Sequence, residues 1–523
     1  MTPVGARDGS SQSIIFADGI RAAASRAPGK VALVVGEQTM TFASLLTRID
    51  RVSNAVHSGL GVAPGQRIGI VSANRIEYVE VVCGASSAGV AVTTIGPAAT
   101  AREIAFIAED ADVQAIFVDP ELEEHVRAAV GDRVRHIIAF GDIYEALIAR
   151  SASTVCSVAV SDADVFCVPY TSGSTGRPKG VLLSHRGRVR AAGATAAEHG
   201  CYSPDDRAIA ITPLFHGAGL LATLTPLFFG VSVRLMQKFD IEQLLEAVES
   251  FAATSTYMIP AHFSALIELG ERARRFDTSS LKAVMSGTSP LNQTAKEQVI
   301  AYFGHDVLYE RYGSTEGGVI SCLRPRDQLR KIECVGQPLP LTRVQPLGAD
   351  GKPVKPGEVG ELAISSPYLF AGYLNLPEET SRVLRGDWYV SGDIGRVDEE
   401  GYLYLIGRKN DMIISGGENI YPKELELIIG AHEAVAECAV LGVPHKYWGE
   451  AVTAFVVLRD GKNVSAETLI AACRDRLSRY KVPKEICFVS DLPRNAMGKV
   501  MRGRLGSDSM EAEPHPHKAG RLS

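Results

Sequence analysis

LKAVMS, residues 281–286, is followed by TAKEQVIAYF, 294–303, and then by VLYE, 307–310. A short β-branched run, an amphipathic stretch at helical spacing and a second short run read as strand, helix, strand. RIGIVS (67–72) before IEYVEVVCGASSAG and VQAIFV (113–118) before ELEEHVRAAV repeat the rhythm. Alternation of this kind predicts an α/β fold, here a large N-terminal domain of layered α/β subdomains with largely parallel strands. After Pro340 the pattern changes to Gly/Pro-punctuated runs, ELAISS, WYVSGDIG and GYLYLIG, which predict a more antiparallel, β-barrel-like piece. From Asp411 a third pattern begins: a helix at PKELELIIG, strands at AVAECAVLGV and AVTAFVVLRD, a helix at AETLIAACRDRLSRY and a strand at EICFVS. These predict a small α+β domain of about a hundred residues. The expected organisation is therefore a domain over 13–409, a small C-terminal domain over 410–504 and a disordered polar tail over 505–523.

At 523 residues the chain exceeds what one core usually holds, so several units are expected. Lys and Arg total 54 against 60 Asp and Glu, a net charge of -6. That balance gives no basic surface for nucleic acid or anionic membrane and points to a small-molecule substrate. The nine cysteines are odd in number, scattered and without a CxxC pair, which argues against a disulfide framework or zinc site and for reduced thiols in a cytoplasm. No signal-peptide pattern opens the chain and no apolar run approaches about 18 residues, so a soluble protein without a membrane span is expected.

Against this background five polar clusters stand out. YTSGSTGRPKG (170–180) carries three glycines, four Ser/Thr hydroxyls and two cations. Glycines let backbone N–H groups approach an anion, and hydroxyls and Lys179 add donors and charge, although a solvated turn has the same composition. It is not the Walker loop, since Lys179 lies between Pro178 and Gly180, and GLGVAPG (59–65) misses the dinucleotide spacing by one residue. In ERYGSTEGG (310–318), Tyr312 can stack on a base and Glu316 can hold a hard cation, or the cluster is a turn after VLYE. YVSGDIG offers Asp393 to ribose hydroxyls or to an ordinary turn. GRKNDMIISGGENIYPKELE (407–426) spans the domain boundary, and LPRNAMGKV (492–500) carries Lys499.

In this order and at these distances the five clusters resemble the adenylate-forming superfamily of acyl- and aryl-CoA synthetases, adenylation domains and luciferases. The resemblance covers about residues 13–504. It implies ATP, Mg²⁺ and coenzyme A as cofactors or co-substrates and a small-molecule carboxylic acid as partner. By similarity Thr171, Ser172, Gly173, Ser174, Thr175, Gly176 and Lys179 hold the β- and γ-phosphates, Tyr312 lies against adenine, Thr315 touches the α-phosphate, and Glu316 serves the metal. Asp393 and Arg408 bind ribose, and Lys499 is the catalytic lysine of adenylation. SGTSPL (286–291), with Gly287, resembles the wall of the adenine and acyl pocket, to which Tyr257, Gly313 and Gly317 also belong. His216 in PLFHGAGL either lines the carboxylate site or is a satisfied core histidine.

The same resemblance implies a small domain that rotates between half-reactions, so that the 407–418 segment, with Gly416 and Gly417 toward CoA, replaces Lys499. Asn410 stands at the hinge, where the family usually has Asp or Lys, and Met497 stands where a small hydroxyl residue is common. The expected function is an ATP-dependent acyl-CoA ligase, an acid–thiol ligase that passes through acyl-AMP. An amino-acid-activating enzyme is disfavoured because LFHGAG lacks an Asp, a luciferase-like oxygenase shares every motif, and a non-enzymatic nucleotide binder would be expected to lose Lys499 or Glu316. The alternative kept is an enzyme that hands its adenylate to a separate ligase or carrier protein. Asp508, Ser509 and Met510 mimic a carrier's attachment site, but the segment after them is too short for a carrier's helical bundle.

Overall fold

The computed structural model describes residues 13–172, 177–494, 500–502 and 504–505. The helix expected at 294–303 runs Gln293–Phe303; the Asn292 side chain accepts from the Ala295 N–H at 2.8 Å and caps it. Gly304, at φ +101°, ends it, in a conformation that favours glycine. On either side the strands Ala283–Ser286 and Leu308–Ser314 pair in parallel, as the sequence pattern requires. The second strand is longer than expected. It runs through the ERYGS letters to Ser314 and pairs antiparallel with Gly318–Leu323, so only residues 315–317 form the turn.

These strands belong to a nine-stranded sheet among the described residues. Its parallel centre continues through Ser255–Met258, Arg207–Ala210, Ser232–Leu235 and Val31–Val35, with antiparallel edges at Gln38–Thr41 and Gln337–Pro338. One face buries Ile209, Leu244, Met258, Phe263, Val284 and Leu308 with the helices beside them. A second, eight-stranded sheet is parallel through Val165–Cys167, Ala91–Ile95, Arg67–Val71, Val113–Val118 and His136–Ala139. Its strands are near-continuous Val/Ile runs, as a sheet covered on both faces demands.

Compactness divides the chain into two units that do not follow chain order. One holds the residues up to Gln345 with Ala363–Ser391 and Glu399–Leu403; the other holds Pro346–Leu362, Gly392–Asp398 and the residues from Tyr404 onward. A single cut at 409/410 does not describe this division, because the antiparallel segments hold one another: Gly357 N–H donates to the Val397 carbonyl at 2.7 Å, and the Arg396 guanidinium stacks on Tyr404. The C-terminal unit contains the long hairpin Val435–His445 with Gly449–Leu458, the strand Glu485–Phe488 parallel to the latter, and the helices Pro422–Gly430 and Ala466–Arg476. Its own core gathers Ile413, Leu425, Ile429, Val440, Val452 and Leu469. Among the described residues no helix is long and apolar enough to cross a membrane. All nine cysteines are free thiols.

Candidate active site

The glycine-rich stretch is a hairpin. Tyr170–Ser172 pairs antiparallel with Pro178–Ser184, which sets Thr171 opposite Lys179 and Ser172 opposite Pro178. Gly173, Ser174, Thr175 and Gly176 lie outside the described residues. Gly180 is required for packing alone: a Cβ there would stand 3.0 Å from the Tyr170 ring and 3.1 Å from Val168. The Lys179 ammonium is largely buried, donates to the Glu379 carboxylate at 2.8 Å and lies 5.2 Å from the Tyr373 ring centre. The hydrogen bond from Lys179 holds the Glu379 carboxyl below the usual carboxylate range. The Tyr373 hydroxyl donates to Glu316 Oε1 at 3.0 Å, so the hairpin lysine and the turn carboxylate share one tyrosine. Burial, reinforced by the Glu316 charge, pushes the Tyr373 phenol far above its ordinary value and keeps it a donor.

Sequence reasoning missed Tyr373 and Glu379. Glu379 is 200 residues from Lys179, and no local pattern joins them.

Around Glu316 the turn is tightly determined. Ser314 Oγ accepts from the Gly317 N–H at 2.8 Å, and the Glu316 carbonyl accepts from the Phe370 N–H at 2.8 Å. A Cβ at Gly313 would fall 2.1 Å from the Gly318 carbonyl oxygen, and Gly318 itself sits at φ +68°, so neither position accepts a side chain without rearrangement. Gly317 has less at stake, its added Cβ meeting the Ile320 side chain at 2.9 Å. Tyr312 and Thr315 are half-buried on either side of these glycines. Beneath them lies a second feature that the motif did not announce: Lys296 of the 293–303 helix forms a buried ion pair with Glu310, whose Oε1 also accepts from the Leu291 N–H at 3.3 Å. The pair ties the SGTSPL segment to the ERYGSTE strand.

Tyr257 is buried, and Gly287 makes room for it, since a Cβ at 287 would lie 2.3 Å from the tyrosine hydroxyl. His216 precedes the helix Gly217–Phe229. Burial pushes its pKa down to about 4, and its buried Nε2 has no partner among the described residues.

In the C-terminal unit, Arg408 Nε donates to Asp393 Oδ1 at 3.1 Å; Asp393 is buried while Arg408 is half exposed. Asn410 is exposed in a 3₁₀ turn, Lys409–Asp411, whose Lys409 pairs with Glu361 at 2.8 Å. Gly416 and Gly417, at φ +61° and +85°, are the two-residue turn between the strands Ile413–Ser415 and Glu418–Ile420. That conformation explains the glycine pair by itself, and an added Cβ at 416 would also approach the Trp448 ring to 3.2 Å. Lys499 and Met497 lie outside the described residues; the chain on either side is joined by an antiparallel bridge between Arg494 and Val500.

Two family models match this chain: "AMP-binding enzyme" over residues 20–374 and "AMP-binding enzyme C-terminal domain" over 424–499. The chain belongs to the AMP-binding enzyme family. This is the adenylate-forming superfamily that the ordered motifs resemble, on the side of its acyl-CoA ligases. Feruloyl-CoA synthase of Amycolatopsis is 34% identical over 485 residues, covering 92% of this chain and 96% of that protein. The 2-succinylbenzoate–CoA ligase of Geobacillus kaustophilus is 34% identical, covering 91% and 95%. Among solved structures, ATP-bound MatB from Rhodopseudomonas palustris superposes with a TM-score of 0.87 at 28% identity, covering 94% of this chain and 98% of that one. The amide bond synthetase McbA from Marinactinospora thermotolerans gives 0.85 at 28%, covering 94% and 99%. These neighbours share the α/β architecture of a large N-terminal and a smaller C-terminal domain.

Proposed function

We propose that this family member is an ATP-dependent acyl-CoA ligase that activates a carboxylic acid as acyl-AMP and transfers the acyl group to coenzyme A. The observation that carries the reading is the Lys179–Tyr373–Glu316 arrangement, which sets a buried cation and a turn carboxylate around one phenol at the end of the glycine-rich hairpin. In the first half-reaction a carboxylate oxygen attacks the α-phosphorus of ATP in line and pyrophosphate leaves. Little covalent chemistry is asked of the protein, so catalysis is positioning and charge stabilisation. Lys179 and the hairpin donors, Thr171, Ser172, Ser174 and Thr175 with Gly173 and Gly176, take the outer phosphates. Tyr312 takes the adenine, Thr315 the α-phosphate, Asp393 and Arg408 the ribose, and Lys499 the developing charge.

Glu316 suits Mg²⁺: it is a hard oxygen donor whose Oε1 is fixed by Tyr373 and whose Oε2 has no protein partner among the described residues. No group of three metal-ligating side chains occurs among the described residues, and Mg²⁺ is commonly held by one carboxylate, substrate phosphates and water. When bound, Mg²⁺ would offset phosphate charge; Glu316 supplies the ligand and Tyr373 orients it.

The acid sits among Tyr257, Gly287, Gly313 and Gly317, with His216 at its carboxylate. The orphan Nε2 of a neutral imidazole favours this role over that of a satisfied core histidine. In the second half-reaction the CoA sulfur attacks the acyl carbon and AMP leaves; Gly416 and Gly417 flank its path after rotation of a mobile C-terminal domain (410–504) about Asn410. The free thiols suit a reducing cytoplasm. Similarity to an amide bond synthetase favours a second reading, in which the adenylate passes to an acceptor other than CoA, such as an amine or a carrier protein. Screening acids by pyrophosphate release, then adding CoA and following the thioester, tests both. Adenylate without thioester would promote the second reading.

A further inference from the structure

Arg188, on the helix His185–His199 that the Ser184 hydroxyl caps, is buried to 7% exposure. Its Nη2 donates to the Tyr368 carbonyl, its Nε has no partner, and no carboxylate pairs with it among the described residues. A buried cation without an anion is a costly arrangement, so the site calls for a negative partner that the chain does not supply. Burial also lowers the Arg188 pKa, with only the Cys167 thiol acting against it.

Arg188 borders a small, almost wholly apolar cavity that it lines with Phe16, Phe166, Leu183, Gly217 and Leu220. The free space is water-sized, enough for an oxygen of an acceptor group and not for an alkyl tail. Gly217 follows His216, and a Cβ at Gly318, at the end of the Glu316 turn, would lie 3.3 Å from Arg188 Nη2. Gly217 thus brings the cavity to the residue next to His216, and Gly318 brings the Glu316 turn to the Arg188 guanidinium.

A second guanidinium lies on the sheet face against which the far end of the same helix packs. Tyr257 and Met285 are paired across strands, Met285 is paired with Tyr309, and Arg311 lies two residues on, so the four share one sheet face. His199, on the helix that carries Arg188, packs against Tyr309 with ring centres 4.9 Å apart. Arg311 contacts the Met285 sulfur at 3.7 Å and the Tyr257 ring at 5.6 Å, again with no carboxylate among the described residues.

We propose that the acid activated by this chain carries a second carboxylate and that Arg188 is the residue that selects it. The inference rests on the acyl-ligase reading of the site. Its test is pyrophosphate release by the full-length enzyme with monoacids and with diacids differing only by the added carboxylate, in straight-chain and aryl series. Wild type is expected to favour diacids in kcat/KM by about tenfold or more, the scale of a hydrogen bond to a charged group. Arg188→Leu is expected to abolish that preference through the KM for diacids, to keep monoacid turnover, and to unfold at no lower temperature than wild type. Arg188→Lys, which keeps the charge without the fork, retains part of the preference and stands in if the leucine variant does not fold.

A wild type that favours monoacids, or a diacid preference unchanged in both variants, overturns the assignment while leaving the ligase reading intact. Absence of pyrophosphate release with every acid, in a protein that binds ATP, overturns both.

Discussion

Two ion pairs close to the motifs are built in opposite ways. Lys296 and Glu310, the latter on the ERYGSTE strand, are 3% and 4% exposed at the side chain and lock the helix Gln293–Phe303 to the strand Leu308–Ser314. In the C-terminal unit, Arg408 is 52% exposed where it meets Asp393, and its neighbour Asn410 is on the surface. The first pair has been removed from water and depends on its geometry, whereas the second can re-form with other partners at little cost. The contrast teaches that the candidate residues on the large sheets rest on contacts fixed by folding, while those of the C-terminal unit are mounted where a change of partner is less expensive.

The sharpest way to break the comparison is to remove one member of the buried pair. Lys296→Met leaves Glu310 buried and alone, and is expected to cost on the order of 3–5 kcal/mol in urea denaturation. A loss near zero would mean that water reaches the pair. Next in size, Glu316→Ala is expected to slow adenylation by about 100- to 1,000-fold for every acid alike, read as pyrophosphate release. An acid-dependent loss would move Glu316 from the metal to the acyl pocket.

Asn410→Pro restricts φ near roughly -65° at the proposed hinge and should suppress thioester formation by about tenfold or more while sparing adenylation. Normal acyl-CoA production would sink the hinge assignment. Arg408→Ala should change unfolding stability by about 1 kcal/mol, less than the fully buried pair, because only its carboxylate is out of water. Its effect belongs in the KM for ATP.

The smallest effect concerns pH. His216 is depressed from the usual histidine value to about 4, so it is neutral throughout the physiological range. The kcat/KM profile should carry no inflection from it between about pH 5.5 and 8. Because only the unfolded chain protonates near pH 6.5, its contribution to stability is full above that value and declines as pH falls toward 4. A His216→Gln variant that removed an inflection between pH 6 and 7 would contradict this.

Much of the architecture was legible from periodicity, because strands buried on both faces must be continuous apolar runs. RIGIVS, VQAIFV and LKAVMS therefore read directly as Arg67–Val71, Val113–Val118 and Ala283–Ser286. The polar ERYGS segment left a turn open as an alternative because its pairing with Gly318–Leu323 needs glycines at 313 and 318 for close approach, a demand that composition alone does not separate from flexibility. The compact division escaped the sequence for another reason: residues 346–362 and 392–398 are gathered by antiparallel pairing across long intervals of chain. In the site, motif order singled out the residues that the family resemblance assigns to the nucleotide. Their supports, Tyr373 on Glu316, Glu379 on Lys179 and Lys296 on Glu310, did not show, since each depends on burial and a partner elsewhere in the sequence.

On the proposed assignment of Lys179 to the outer phosphates, its contact with Glu379 has a consequence for how nucleotide enters. A lysine that already has a carboxylate beside it does not wait as a bare charge; an arriving polyphosphate must displace one anion to install another. Entry becomes an exchange in which the local charge balance changes less than the ligand's own charge suggests. Weak anions such as inorganic phosphate gain little from that exchange, and when pyrophosphate departs the carboxylate is at hand to take back the ammonium, closing the cycle without leaving a cation stranded.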